Sequence, residues 1–157
     1  MLYLDSSALV KCYVREKGSE AVLARLRSGE RVYTSALSYF EVLPALARKV
    51  REGELELSAF QQARDNFQHD WLFSLSKIEV DVRLIGGLEE LILKLPLRGA
   101  DTVHLSAVLW LRDAGMLGLD IAGGDNVLDF GLADKKLRRA AEDCGLNVFD
   151  PETATGA

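Results

Sequence analysis

Four acidic residues stand where a short apolar run or a loop passes into a helical pattern: Asp5 in LYLDSSALVK, Glu41 in TSALSYFE, Asp101 in RGADTVH and Asp134 in GLADKKL. Carboxylates in such places have two readings. As helix caps, Asp5, Asp101 and Asp134 would accept orphan backbone N–H groups, each contributing about 1 kcal/mol, and Ser38-x-x-Glu41 would fit a capping box. As a set they do something else. Ser, Thr or Asn caps as well as Asp does, and Ser6, Ser7, Thr34 and Ser35 lie close by, so capping alone does not demand a carboxylate. Were the four to converge, like charges about 5 Å apart at an effective dielectric near 20 would repel by roughly 3 kcal/mol per pair, more than a cap contributes. Such a cluster persists only when something neutralises it, and hard oxygen donors with open water positions suit Mg²⁺ or Mn²⁺.

Convergence depends on the elements that carry the acids. LYL (2–4) reads as a buried strand, residues 6–15 and 19–28 as two helices separated by Gly18, and RVYTS (31–35) as a second strand. A helix over 38–52 contains Pro44, which removes a backbone donor and predicts a kink or a later start. An amphipathic helix over 58–73 is followed by a strand at KIEV (77–80) and a helix over 81–95 that Pro96 ends. LRGADTVHLSAVLWLRDAG carries Val103, Ala107 and Leu111 as a buried helix closing at Gly115. One or two strands fall within LDIAGGDNVLDFGLA, then a helix over DKKLRRAAEDCG and a last strand at NVF (147–149). Alternating strands and helices predict a three-layer α/β/α fold, a central parallel sheet flanked by helices. In such a sheet the loops leaving the carboxyl ends of the strands gather along one edge, where acids from separate junctions can meet.

The bulk properties are those of an ordinary globular chain: 157 residues, 48% hydrophobic, 27% charged and three prolines. One domain over 1–150 with a short tail at 151–157 is expected. Asp5 interrupts the place where a signal peptide needs its apolar core, and no apolar run approaches the roughly 18 residues of a membrane span, so a cytoplasmic protein with no membrane association is expected. Cys12 and Cys144 suit a reducing compartment as small buried hydrophobes. No CxxC or paired-His spacing points to zinc.

Placed on these elements, the residues resemble the PIN-domain ribonucleases, especially the VapC-like toxins of bacterial and archaeal toxin-antitoxin pairs. LYLDSSALVK resembles the opening strand and first acid, SYFEVLPALAR the helix of the second acid, ADTVHLSAVL the third motif and LADKKLRRAAEDCGLNVFDP the closing segment. The resemblance covers nearly the whole chain. It implies a PIN-like fold in which Asp5, Glu41, Asp101 and Asp134 are the catalytic, metal-binding acids, with Ser7 at the small polar position beside the first. It further implies endonucleolytic hydrolysis of RNA with Mg²⁺ or Mn²⁺, leaving 5′-phosphate and 3′-hydroxyl ends, a homodimer, and a small cognate antitoxin protein as partner. The family often has Thr or Ser two residues before the fourth acid; Leu132 stands there here, and Asp125 and Asp129 are alternatives to Asp134. Asp134 alone directly precedes a strong helical segment, whose N-terminus favours an anion.

An RNA-binding surface should be basic, whereas this chain carries −5. Setting four acids aside as a metal site leaves 20 acidic residues of 24 against 19 basic ones, a near-neutral remainder. Lys135, Lys136, Arg138 and Arg139 follow Asp134, and Lys11, Arg15 and Lys17 lie on or beyond the first helix; each is either a solvated charge or a phosphate contact. His104 shares a helix face with Asp101, but imidazole is a poor Mg²⁺ ligand, and a hydrogen bond within the fold suits it better. Val10, Tyr13, Val14, Val22, Leu26, Tyr39, Phe40 and Leu43 form a surplus of apolar surface from which a partner site is read, core burial being the alternative. Two rival functions are a phosphotransferase with Asp5 as nucleophile, whose DxD signature Ser7 breaks, and a non-catalytic RNA- or partner-binding protein, which the set of acids argues against.

Overall fold

The computed structural model describes residues 1–116 and 127–154. The chain forms β1 (Leu2–Leu4), α1 (Ser6–Leu9), a 3₁₀ turn (Val10–Cys12), α2 (Ser19–Arg27), β2 (Val32–Ser35), α3 (Ser38–Arg51), α4 (Leu57–Phe73), β3 (Ser76–Ile78), a second 3₁₀ turn (Val82–Leu84), α5 (Leu88–Lys94), α6 (Gly99–Met116), β4 (Asp129–Gly131), α7 (Lys135–Asp143) and β5 (Asn147–Phe149). All strand pairs are parallel, in the order β3-β2-β1-β4-β5.

Period-2 alternation splits the core between two faces. Leu2 and Leu4 point to one side, with Ala8, Leu9, Val22, Val42, Leu46 and Phe67 from α1 to α4. Tyr3 points to the other, with Leu105, Val108 and Leu111 of α6, Leu137 and Ala141 of α7, and Phe130. The result is a three-layer α/β/α sandwich, and β1 is buried on both faces as a central parallel strand must be.

The topology also fixes where a ligand can sit. From β1 the chain builds β2 and β3 to one side, then crosses to β4 and β5 on the other. The strand order therefore reverses between β1 and β4, opening a crevice at their carboxyl ends. Asp5 follows β1 and Asp134 lies three residues past the end of β4.

Several local expectations are corrected. The helix expected over 6–15 ends as a 3₁₀ turn at Cys12, and the chain folds back so that the Lys11 ammonium reaches Glu16 Oε1 (2.9 Å), the Lys17 carbonyl (2.9 Å) and Glu152 Oε1 (2.8 Å). Lys11 is 4% exposed and spent on these contacts, so it is no phosphate ligand. The helix expected over 81–95 is broken at Gly86-Gly87, where Gly87 adopts φ +81° and caps the short α5. Pro44 sits inside α3, which nevertheless begins at Ser38. Within LDIAGGDNVLDFGLA, β4 is the strand described; Asp125 lies outside the described residues.

Of the apolar residues read as surplus, Val10, Val14 and Val22 are core and Phe40 is exposed. The other exposed large apolar residues lie further along the chain, among them Leu72 and Phe73 of α4, Val82, Ile85 and Leu93.

Candidate functional site

Asp5 is the best-defined member of the crevice. Its backbone N–H donates to the Gly131 carbonyl (3.0 Å), tying the end of β1 to β4. The Thr34 hydroxyl donates to the Leu4 carbonyl (2.7 Å), tying it to β2. The Asp5 carboxylate accepts the Ala8 N–H (2.8 Å), so Asp5 does cap α1. It also accepts the Ser7 hydroxyl at 2.7 and 2.9 Å, while Ser7 Oγ accepts the Ala133 N–H (2.9 Å). Ser7 thus couples the first acid to the loop that leads into Asp134.

Burial dominates the electrostatics of Asp5. Desolvation, opposed by His104, Ala8 and Ser7 and aided by the Glu41 charge, pushes its carboxyl from 3.8 up to about 6. The penalty comes first from loss of water and only last from a neighbouring acid, which revises mutual repulsion as the leading cost. A cap does not require such a group, since Asn would cap equally well without a charge to desolvate.

Glu41 lies in the first turn of α3, but the capping box is not formed. Ser38 Oγ pairs with Thr34 Oγ1 (2.7 Å) instead. Glu41 Oε2 accepts the Ser6 hydroxyl (2.5 Å) and lies 2.8 Å from His104 Nε2. Burial raises the Glu41 carboxyl, but the hydrogen bonds from His104 and Ser6 outweigh it and leave it below its usual value. Ser6 and Tyr3 are the members of this site that sequence reading passed over. His104 does hydrogen-bond within the fold, its Nδ1 lying 3.0 Å from the Tyr3 hydroxyl.

Asp101 is the third residue of α6 rather than its cap, and its carboxylate reaches back to the Arg98 backbone N–H. Burial first, then the charge of Asp134, raises its carboxyl. Asp134 caps α7, accepting the N–H groups of Lys136 (2.8 Å) and Leu137 (2.9 Å). Asp129 is placed elsewhere, at the start of β4 and so at the opposite end of that strand. There it accepts Arg25 Nη2 at 2.8 Å and pairs with the Asn147 amide.

The four acids therefore stand as two electrostatically linked pairs, Asp5 with Glu41 and Asp101 with Asp134, and His104 acts on both. Among the described residues no three acid, His or Cys side chains converge into a finished ligand cage. The donor chemistry nonetheless fits a hard divalent cation: all four groups are carboxylates, and two have their charged form disfavoured in a way that a cation would relieve. Exposed Lys135 and Lys136 stand at the start of α7 directly after Asp134; Arg139, also exposed, lies mid-helix, while Arg138 is committed to Asp150 at 2.5 Å.

Comparison with known proteins bears on the same residues. The model of the PIN domain family matches residues 2–110. Ribonuclease VapC46 of Mycobacterium tuberculosis (strain ATCC 25618 / H37Rv) is 35% identical over 150 residues, spanning 96% of this chain and 97% of the relative. Ribonuclease VapC45 of strain CDC 1551 / Oshkosh is 31% identical over 117 residues, 74% of this chain and 81% of the relative. Among solved structures, FitAcB from Neisseria gonorrhoeae superposes with a TM-score of 0.66 at 16% identity, covering 98% of this chain and 100% of that one. VapBC2 from Rickettsia felis, bound to a DNA fragment from their promoter, gives 0.61 at 13% identity, over 95% and 98%. At these identities the structural likeness speaks for the fold.

Proposed function

This chain belongs to the PIN-domain family, and on that premise we propose that it is a metal-dependent endoribonuclease, the toxin of a toxin-antitoxin pair acting in the cytoplasm. The observation that carries the reading is the buried Asp5 carboxylate, held by neutral donors at the point where the strand order reverses. Asp5 and Asp101 are the principal ligands of Mg²⁺ or Mn²⁺, with Glu41 and Asp134 binding directly or through water. A divalent cation bound there supplies activation of water and charge stabilisation at the leaving oxygen. The chain's own residues do the rest. Ser7 orients Asp5, and the exposed Lys135 and Lys136 beside Asp134 receive the phosphate backbone of RNA. No helix among the described residues is long and apolar enough to cross a membrane.

Purified protein incubated with defined RNAs and Mg²⁺ should produce internal cuts with 5′-phosphate and 3′-hydroxyl ends, read by end-labelling. Exonucleolytic trimming, or 2′,3′-cyclic phosphate ends, would overturn the proposed reaction. The partner reading adds a homodimer and a small antitoxin encoded beside this gene. It draws support from exposed apolar side chains, Phe40 at 75% and Phe73 at 76% among them. Sizing at high concentration, alone and with the neighbouring gene product, should show a dimer and then a larger complex. A persistent monomer that ignores that product would sink the partner reading.

A further inference from the structure

A buried polar network beneath the site runs through a residue the proposed chemistry leaves unused. His104 projects from α6 one helical turn beyond Asp101 and is 2% exposed. Its Nδ1 is 3.0 Å from the hydroxyl of Tyr3, a fully buried residue of β1 whose ring meets the imidazole edge-on at 6.0 Å. Its Nε2 is 2.8 Å from Glu41 Oε2 and 3.3 Å from Ser6 Oγ. The partners assign the ring hydrogens. The Glu41 carboxylate oxygen can only accept, so Nε2 carries the ring hydrogen and donates it there, and Nδ1 accepts the hydrogen of the Tyr3 hydroxyl. Glu41 Oε2 is then occupied twice, by Nε2–H and by Ser6, and Oε1 is the oxygen left to meet a ligand.

We propose that His104 is a positioning residue that, braced by Tyr3, clamps Glu41 so that it offers one oxygen to the acid cluster. The inference rests on the metal-site reading above. It reverses the usual arrangement in which a carboxylate orients a metal-binding histidine: here a buried histidine orients the carboxylate. Sheet, α3 and α6 are joined through one imidazole ring, because Tyr3, Glu41 and His104 come from the three elements in turn.

The test is Mn²⁺ titration of protein freed of metal, without RNA, followed by the paramagnetic signal of free Mn²⁺. His104→Leu, which fills the ring's volume without a donor, should weaken binding about 10- to 100-fold, the usual loss for a residue supporting a ligand. His104→Gln, which restores an N–H near Nε2, should stay within about threefold of wild type. In a Glu41→Gln background His104→Leu should change affinity no further, an outcome that a merely structural histidine does not produce. Wild-type affinity in folded His104→Leu, or a full additional loss in the Glu41→Gln background, overturns the proposal. If His104→Leu does not fold, Tyr3→Phe takes its place, since it releases Nδ1 while keeping the ring. It should weaken Mn²⁺ several-fold, and unchanged affinity overturns the proposal equally. Asp5→Asn separates the two levels: if it too binds Mn²⁺ normally, the metal site itself is wrong, whereas loss there with none at His104 refutes this inference alone.

Discussion

Asp101→Asn is expected to lower RNA cleavage about a thousandfold while leaving the protein folded. Asn keeps the acceptor for the Arg98 N–H, so the start of α6 survives. The negative charge that would hold a cation against the scissile phosphate does not survive. Lewis-acid stabilisation is worth several kcal/mol, and each 1.36 kcal/mol is a factor of ten, which gives about three orders of magnitude. Single-turnover cleavage in saturating Mg²⁺ reads the effect directly. A rate within tenfold of wild type, at equal folded fraction, would remove Asp101 from the site.

The second large effect is on stability, and it changes sign with metal. Asp and Asn cap helices about equally well, so if Asp5 were a cap and nothing more, Asp5→Asn would be close to neutral everywhere. Burial has instead moved its carboxyl from 3.8 to about 6. The sign follows from linkage. Folded protein holds this proton more tightly than unfolded protein, so the metal-free fold loses stability as pH climbs from about 4 to about 6, by about 3 kcal/mol in all, and stays lower above. The Asn variant has no such loss. In EDTA at neutral pH, Asp5→Asn should therefore melt about 6–12 °C above wild type, using 2–4 °C per kcal/mol for a chain of this size. The gap should close near pH 4. Adding Mg²⁺ should stabilise the wild type progressively, by about 2.7 kcal/mol at a hundred times the dissociation constant, raising its melting temperature while barely moving that of the variant. Identical melts for the two proteins at every pH, with and without Mg²⁺, would return Asp5 to the rank of a cap.

Much of this site is legible in the sequence because its acids sit at boundaries between patterns. LYL ends at Asp5, helices start immediately after Asp5 and Asp134, and Asp101 falls in the first turn of α6, so strand and helix ends mark the carboxylates. Asp129 and Asp134 are harder to tell apart in sequence, because β4 is three residues long and a shift of a few residues decides which acid leaves its carboxyl end. The network under the acids leaves no such trace. Tyr3 and His104 are 101 residues apart, Glu41 and His104 are 63, and neither pair produces a period or a motif.

Lys11 shows the same limit from the other side. A lysine on a short helix reads as solvated, and the carboxylate that draws it inward, Glu152, is 141 residues away. The break at Gly86-Gly87 is different, since two adjacent glycines are a local signal and the apolar spacing of VRLIGGLEELILKL hid it.

The central claim is that these carboxylates hold a divalent cation that drives RNA hydrolysis, and one measurement addresses it most directly. Wild-type protein is stripped with EDTA and given a defined RNA, and cleavage is followed before and after excess Mg²⁺ or Mn²⁺ is restored. The account predicts no internal cleavage in EDTA and recovery on adding either metal. Undiminished cleavage in EDTA would contradict it.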